Sequence, residues 1–256
     1  MLFTIHALTG YSLHALDGEI GKVLEFYFDD QLWTIRYLVA NAGGWLKERN
    51  VLISPHALNR VNRDDRRIAI DLDRKQIADS PPLSADKPVS KQYETAFYNH
   101  YGYPVYWNGP HRWGPSPLPV MASSELETPT GSEPQGDAHL RSTQAVRGYH
   151  VEASDGSIGH VEDFIVDDGT WTIRYLIIDT RNWLPGKHVL VSPEWIGRVS
   201  WSDATVSVNL PRERIEKSPE YTEKSLLNRE YETGLHHHYD RQGYWIKEVD
   251  AAEPAR

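Results

Sequence analysis

The large apolar residues Ile68, Ile70 and Leu72 alternate with Ala69 and Asp71. A period of two puts one set on a single face of a strand. The same alternation returns in Val206, Ser207, Val208, Asn209 and Leu210, with the same set facing inward. Upstream, Asp17-Gly18 is a hairpin dipeptide in which glycine accepts a positive φ at little cost. It predicts a strand over Lys22–Phe28, a turn at Asp29-Asp30 and a second strand over Leu32–Ala40, which is rich in β-branched and aromatic residues. Val51-Leu52-Ile53 is a short strand stopped by Ser54-Pro55, since proline cannot donate to a ladder. After Ser80-Pro81 the period changes. Tyr93, Phe97 and Tyr101 stand at i, i+4 and i+8, which predicts a helix from its cap at Ser90 to Tyr101, ended by Gly102 and Pro104.

Nearly all of this is present twice. Trp33-Thr34-Ile35-Arg36-Tyr37-Leu38 returns unchanged at 171–176, a shift of 138 positions. In the same register Asp17-Gly18 becomes Asp155-Gly156, Ser54-Pro55 becomes Ser192-Pro193, Tyr93-Glu94-Thr95 becomes Tyr231-Glu232-Thr233, and Tyr106-Trp107 becomes Tyr244-Trp245. The second helix face carries Tyr231, Leu235 and Tyr239. A duplicated chain is one module used twice. The organisation read from it is a first repeat over 1–107, a Pro-, Gly- and Ser-rich linker over 108–145, a second repeat over 146–245 and a tail over 246–256. The linker is poor in periodic apolar residues and reads as extended or disordered, with Trp113, Leu118, Val120 and Met121 able to dock locally. The fold class is mainly β with short helices. Several short strands in each repeat suggest a small barrel, because closure removes exposed edges. Each barrel is followed by a C-terminal helix, and the two barrels are expected to pack as a pseudo-two-fold intramolecular pair.

Composition narrows the function. The formal charge of −9 argues against nucleic acid and anionic membranes, which need a positive field. With no cysteine there are no disulfides, thiolate metal sites or cysteine nucleophiles. No apolar run approaches the roughly 20 residues of a membrane span, and Met1–His6 lacks the features of a signal peptide. The expected location is the cytoplasm, without membrane insertion.

The candidate chemistry is sparse. His236-His237-His238 draws attention as a metal motif. Adjacent helical residues point about 100° apart and cannot converge on one ion. His236, His238 and His100, the first-repeat counterpart of His238, are weak candidates only, and no metal or other cofactor is expected. Asp29-Asp30 and Asp167-Asp168 are read as turn formers rather than acid–base pairs. Arg36 and Arg174 lie inside strands, as ion-pair or outward-facing residues or as part of a binding face. Trp45 and Trp183 occupy matching loops, as partner anchors or as lids over an open barrel end. Tyr93, Tyr231, Trp107 and Trp245 are candidates for the partner-binding or inter-repeat surface. No catalytic motif is present, and no G-x-S-x-G surrounds Ser54 or Ser192.

The D-G-x-I-G turn, the Asp-Asp turn, W-T-I-R-Y-L and the V-L-I/V-S-P strand, in that order and twice, resemble the PRC-barrel family. That module is shared by the cytoplasmic domain of the photosynthetic reaction centre H subunit and by RimM-type ribosome-maturation factors. The resemblance implies a small, strongly bent antiparallel sheet closing into a barrel, and a docking or adaptor role toward a protein partner. The alternatives are an accessory to electron or proton transfer at a membrane complex, as the H subunit is, or a ligand or enzymatic site between the barrels built from His100, His238, Arg36 and Arg174. Neither a transmembrane helix ahead of a barrel nor a second type of barrel is present, so neither named role transfers directly.

Overall fold

The computed structural model describes residues 1–46, 49–83, 89–120, 139–180, 187–222, 225 and 227–246. The chain forms two units. The first comprises Met1, Phe3–Ala145 and Val166–Ile173, and the second Leu2, Val146–Ile165 and Arg174–Arg256.

The first repeat builds β1 (Leu2–Thr4), α1 (Ile5–Leu8), β2 (Ser12–Ala15), β3 (Gly18–Asp29), β4 (Thr34–Asn41), β5 (Asn50–Ile53), β6 (Leu58–Asn62), β7 (Arg67–Ile70), α2 (Arg74–Ala78) and α3 (Lys91–Tyr101). The strands follow the alternation, and Leu13, Phe26, Ile68 and Ile70 are buried. Ser90 caps α3 by accepting from the Tyr93 N–H, and Gly102 ends it with a φ of 66°.

The strand order is β5-β4-β3-β2-β7-β6, with β8 (Leu140–Ser142) added to β3. Closure into a barrel was expected, and this is corrected: the order is an open path with β5 and β6 at its ends. The chain leaves β5 at Ser54-Pro55, where the Ser54 hydroxyl caps a short 3-10 turn that carries it away from the ladder. The pairing is not wholly antiparallel either, because β2 runs parallel to β7. The register of β3 with β4 shifts at Val23/Glu25 and again at Tyr27/Phe28, the mark of bulges that kink a strand. Gly21 has a φ of 136°, and a Cβ there would lie 1.8 Å from the Asn41 carbonyl oxygen. The last glycine of D-G-x-I-G is therefore a site of backbone contact.

Part of the segment read as linker is ordered. Trp113 is fully buried, and its indole N–H donates to the Thr170 carbonyl at 2.9 Å. Leu118 and Val120 are exposed, and Met121 lies outside the described residues. Residues 166–173 bring their Trp-Thr-Ile into the same unit as the first: Ile35 N–H donates to the Trp171 carbonyl at 2.8 Å, and Ile173 N–H to the Trp33 carbonyl at 2.7 Å. Trp33 and Trp171 adopt positive φ, which explains why β4 begins at Thr34 and not at Leu32.

The second repeat continues with α4 (Thr143–Val146), β9 (His150–Ala153), β10 (Gly156–Asp167), β11 (Ile173–Asp179), β12 (His188–Val191), β13 (Ile196–Ser200), β14 (Thr205–Val208), α5 (Arg212–Glu216) and α6 (Arg229–His238). Its order, β12-β11-β10-β9-β14-β13, is that of the first sheet, and it too is an open path. Gly159 repeats the tight contact, 1.9 Å from a built Cβ to the Asp179 carbonyl oxygen. Among the described residues no helix is long and apolar enough to cross a membrane.

Candidate functional site

In each unit the C-terminal helix is fastened to its own sheet by a cluster of charged and aromatic groups. Every residue of β4 from Thr34 to Ala40 is buried, so the strand is covered on both faces. Arg36 is fully buried. Its Nε donates to Asp29 Oδ2 at 2.7 Å and its Nη1 to the Arg112 carbonyl at 2.8 Å. The guanidinium lies 3.8 Å above the Tyr106 ring and 4.7 Å from Trp113. Asp29 serves two functions: its second oxygen accepts the Leu32 N–H at 2.6 Å and closes the predicted turn.

Next to this pair α3 contributes Glu94, which is 1% exposed. Its carboxylate accepts the Tyr106 hydroxyl at 2.8 and 2.9 Å, the Tyr37 hydroxyl at 3.5 Å and the Lys91 ammonium at 3.0 Å. Burial raises its pKa, while Lys91, Tyr106 and Arg36 pull it back. Lys91 also sits 4.4 Å above Trp107. His56 packs beneath, stacked on Tyr103 at 4.9 Å and edge-on to Trp113 at 5.0 Å. Burial, reinforced by the charge of Arg36, lowers its pKa to about 3, so the ring is neutral.

The second unit repeats the design. Glu232 accepts the Tyr244 hydroxyl at 2.8 Å and the Tyr175 hydroxyl at 3.0 Å, and pairs with Arg229 at 3.1 Å. Arg174 stacks on Tyr244 at 3.9 Å, and Arg229 on Trp245 at 4.1 Å. His236 replaces Tyr98 and bonds the Tyr175 hydroxyl at 3.0 Å and the Gln242 carbonyl at 3.0 Å.

The sequence-level candidates are thus placed as follows. Arg36 and Arg174 are core residues, and neither faces outward, because aromatic rings cover them. The three consecutive histidines diverge: His236 is buried, His237 is exposed, and His238 bonds the Arg214 carbonyl of α5 at 2.7 Å. His100 makes the matching bond to the Gln76 carbonyl of α2 at 2.9 Å. His100 and His238 therefore brace helix against helix inside their own units. Tyr93 and Tyr231 are half-buried and donate to the Pro81 and Glu220 carbonyls. Trp45 is half-buried in a 3-10 turn, its indole donating to the Ile20 carbonyl at 2.8 Å beneath the Arg74 guanidinium. Trp183 lies outside the described residues.

Glu94, Glu232 and His56 are central to the clusters and were not singled out from the sequence. The available signal was the retention of glutamate in both Tyr-Glu-Thr triplets, beside the aromatic face. Chemically the clusters are latches. Their hydroxyls donate to their carboxylates, their cations lie on their rings, and Glu94, Glu232, Arg36 and Arg174 have almost no solvent access.

No curated protein matches the chain. The family model for the PRC-barrel domain matches residues 2–77 and again 145–214, ending in each repeat before the latching helix. The chain belongs to the PRC-barrel family and carries the domain twice in tandem.

Proposed function

We propose that the chain is a non-enzymatic scaffold whose two PRC-barrel domains dock a protein partner. The observation that carries this reading is the internal use of the duplicated chemistry. Arg36, Glu94 and Tyr106, like Arg174, Glu232 and Tyr244, bind one another and hold a helix in place. A general acid or base must reach a substrate proton, and these groups are enclosed. Trp45 supports the docking role, since its indole is half-exposed and held rigidly, by its N–H on the Ile20 carbonyl and by the Arg74 guanidinium on its ring.

The test begins with affinity capture by the full chain from its native cells, followed by titration of the purified partner. Saturable binding that weakens at least about tenfold on Trp45→Ala supports the reading. Multiple-turnover chemistry by the purified chain that disappears in Glu94→Gln overturns it.

A further inference from the structure

The two sheets differ most informatively along one transverse row. In the first, Asn50, Asn41, Lys22 and Ser12 stand opposite one another across β5, β4, β3 and β2. The positions 138 residues later are His188, Asp179, His160 and His150, on β12, β11, β10 and β9. His160 is the direct partner of His150, and Asp179 that of His188. Directly opposed residues share a face of the sheet. Glu162, two residues along β10 from His160, is on that face as well and replaces Leu24. Four row positions and one neighbour have thus become metal-ligand types in one copy only.

The side chains converge. His160 Nε2 is 3.7 Å from Asp179 Oδ2 and 3.8 Å from Glu162 Oε2, and the three donor atoms lie within 4.8 Å of one another. A tetrahedral ion with bonds of about 2.0–2.1 Å spaces its ligands roughly 3.4 Å apart. The two histidine–carboxylate separations lie within about 0.4 Å of that spacing. Asp179 is fully buried, while His160 and Glu162 are partly exposed, so one side of the trio is anchored and the other is open to solvent. Arg147 lies 3.7 Å from Glu162 Oε1, leaving Oε2 turned toward the histidine.

We infer that His160, Glu162 and Asp179 form a binding site for a first-row divalent metal ion of the zinc type, with His150 and His188 flanking it as sources of a fourth ligand. One imidazole with two carboxylates suits Zn²⁺ and its neighbours. Ca²⁺ and Mg²⁺ prefer oxygen-only shells. The site is absent from the first domain, where the row carries a lysine, so the two domains have acquired different surface chemistry on one fold.

The test is titration of the full chain with Co²⁺, read by its visible d–d absorption, followed by displacement with Zn²⁺. One equivalent is expected to bind. Glu162→Gln should weaken binding at least about tenfold. The combined variant His160→Lys, Glu162→Leu, Asp179→Asn should abolish it. That variant installs the residues with which the first sheet already folds, and circular dichroism checks that it is native. His237→Ala, on the exposed helix surface, should bind as the unaltered chain does. Absence of saturable binding overturns the inference. So does undiminished binding by the native-like combined variant, or loss of binding in His237→Ala.

Discussion

His56 gives the first unit a built-in acid sensitivity. The ring is 5% exposed, its Nδ1 meets the Ser54 hydroxyl at 2.9 Å, and its Nε2 has no hydrogen-bond partner among the described residues. An unfolded histidine titrates near 6.5, whereas burial and then Arg36 lower the folded value to about 3. The unfolded chain therefore takes up a proton that the folded chain refuses, and stability is lost as pH falls from about 6.5 toward 3. At pH 5.0 the loss from this one group is about 2 kcal/mol, from roughly 1.4 kcal/mol for each pH unit below 6.5. At pH 7.5 it is close to zero. In His56→Phe the new ring keeps the stack on Tyr103 and the edge contact with Trp113, and the Ser54 hydroxyl loses one bond. The cost at pH 7.5 is about 1 kcal/mol. The assay is urea unfolding of both proteins at pH 7.5 and 5.0, followed by tryptophan fluorescence. Between the two pH values the wild type should lose about 2 kcal/mol more than His56→Phe, because every other titrating group is common to both. Equal losses would refute the buried neutral imidazole and, with it, the packing of the cluster.

Asp29→Asn leaves the Arg36 guanidinium buried without its counter-charge and should cost about 3–5 kcal/mol, read as a lower urea midpoint at pH 7.5. Gly21→Ala places a methyl 1.8 Å from a carbonyl oxygen at a positive φ, and should destabilise by more than about 2 kcal/mol in thermal unfolding. For Glu94 burial outweighs the pull of its ion pair with Lys91 and raises the folded pKa above 4.5. This one group therefore contributes more stability as pH falls through the interval above 4.5, a contribution that Glu94→Gln lacks. The stability of the wild type relative to Glu94→Gln should rise as pH falls from 7.5 toward 4.5, and a constant or falling difference would contradict the desolvated carboxylate.

The strands and the helix were legible because their signals are local. Ile68 and Ile70 alternate with Ala69 and Asp71, Asp17-Gly18 marks a turn, and Ser90 stands three residues before the first tyrosine of an aromatic face at helical spacing. What was not legible depends on residues far apart in the chain. Arg36 is an interior residue because Tyr106 and Trp113 close over it, and nothing within the strand announces them. The open edge of the sheet is likewise non-local, since period two identifies a strand and its face without saying which strands end the order. Asp29 was half legible: its role in the turn follows from its neighbours, and its bond to Arg36 does not.

Duplication supplies a control that a single domain lacks. Both copies fold to the same strand order, so a position that differs between them is one the fold does not dictate. The shared positions are accounted for by architecture: the arginine on its tyrosine, the glutamate under its two hydroxyls, and the glycine pressed against a carbonyl. Selection for packing explains their retention without any external ligand. The substitutions of Ser12, Lys22, Leu24, Asn41 and Asn50 by His150, His160, Glu162, Asp179 and His188 have no such explanation. They are scattered in the chain over nearly forty positions and meet only in the folded sheet, where a buried aspartate faces a histidine at 3.7 Å. Five residues drawn from the acids and histidine stand side by side on one face of the second sheet and not of the first, and this difference between the copies is what the metal titration tests.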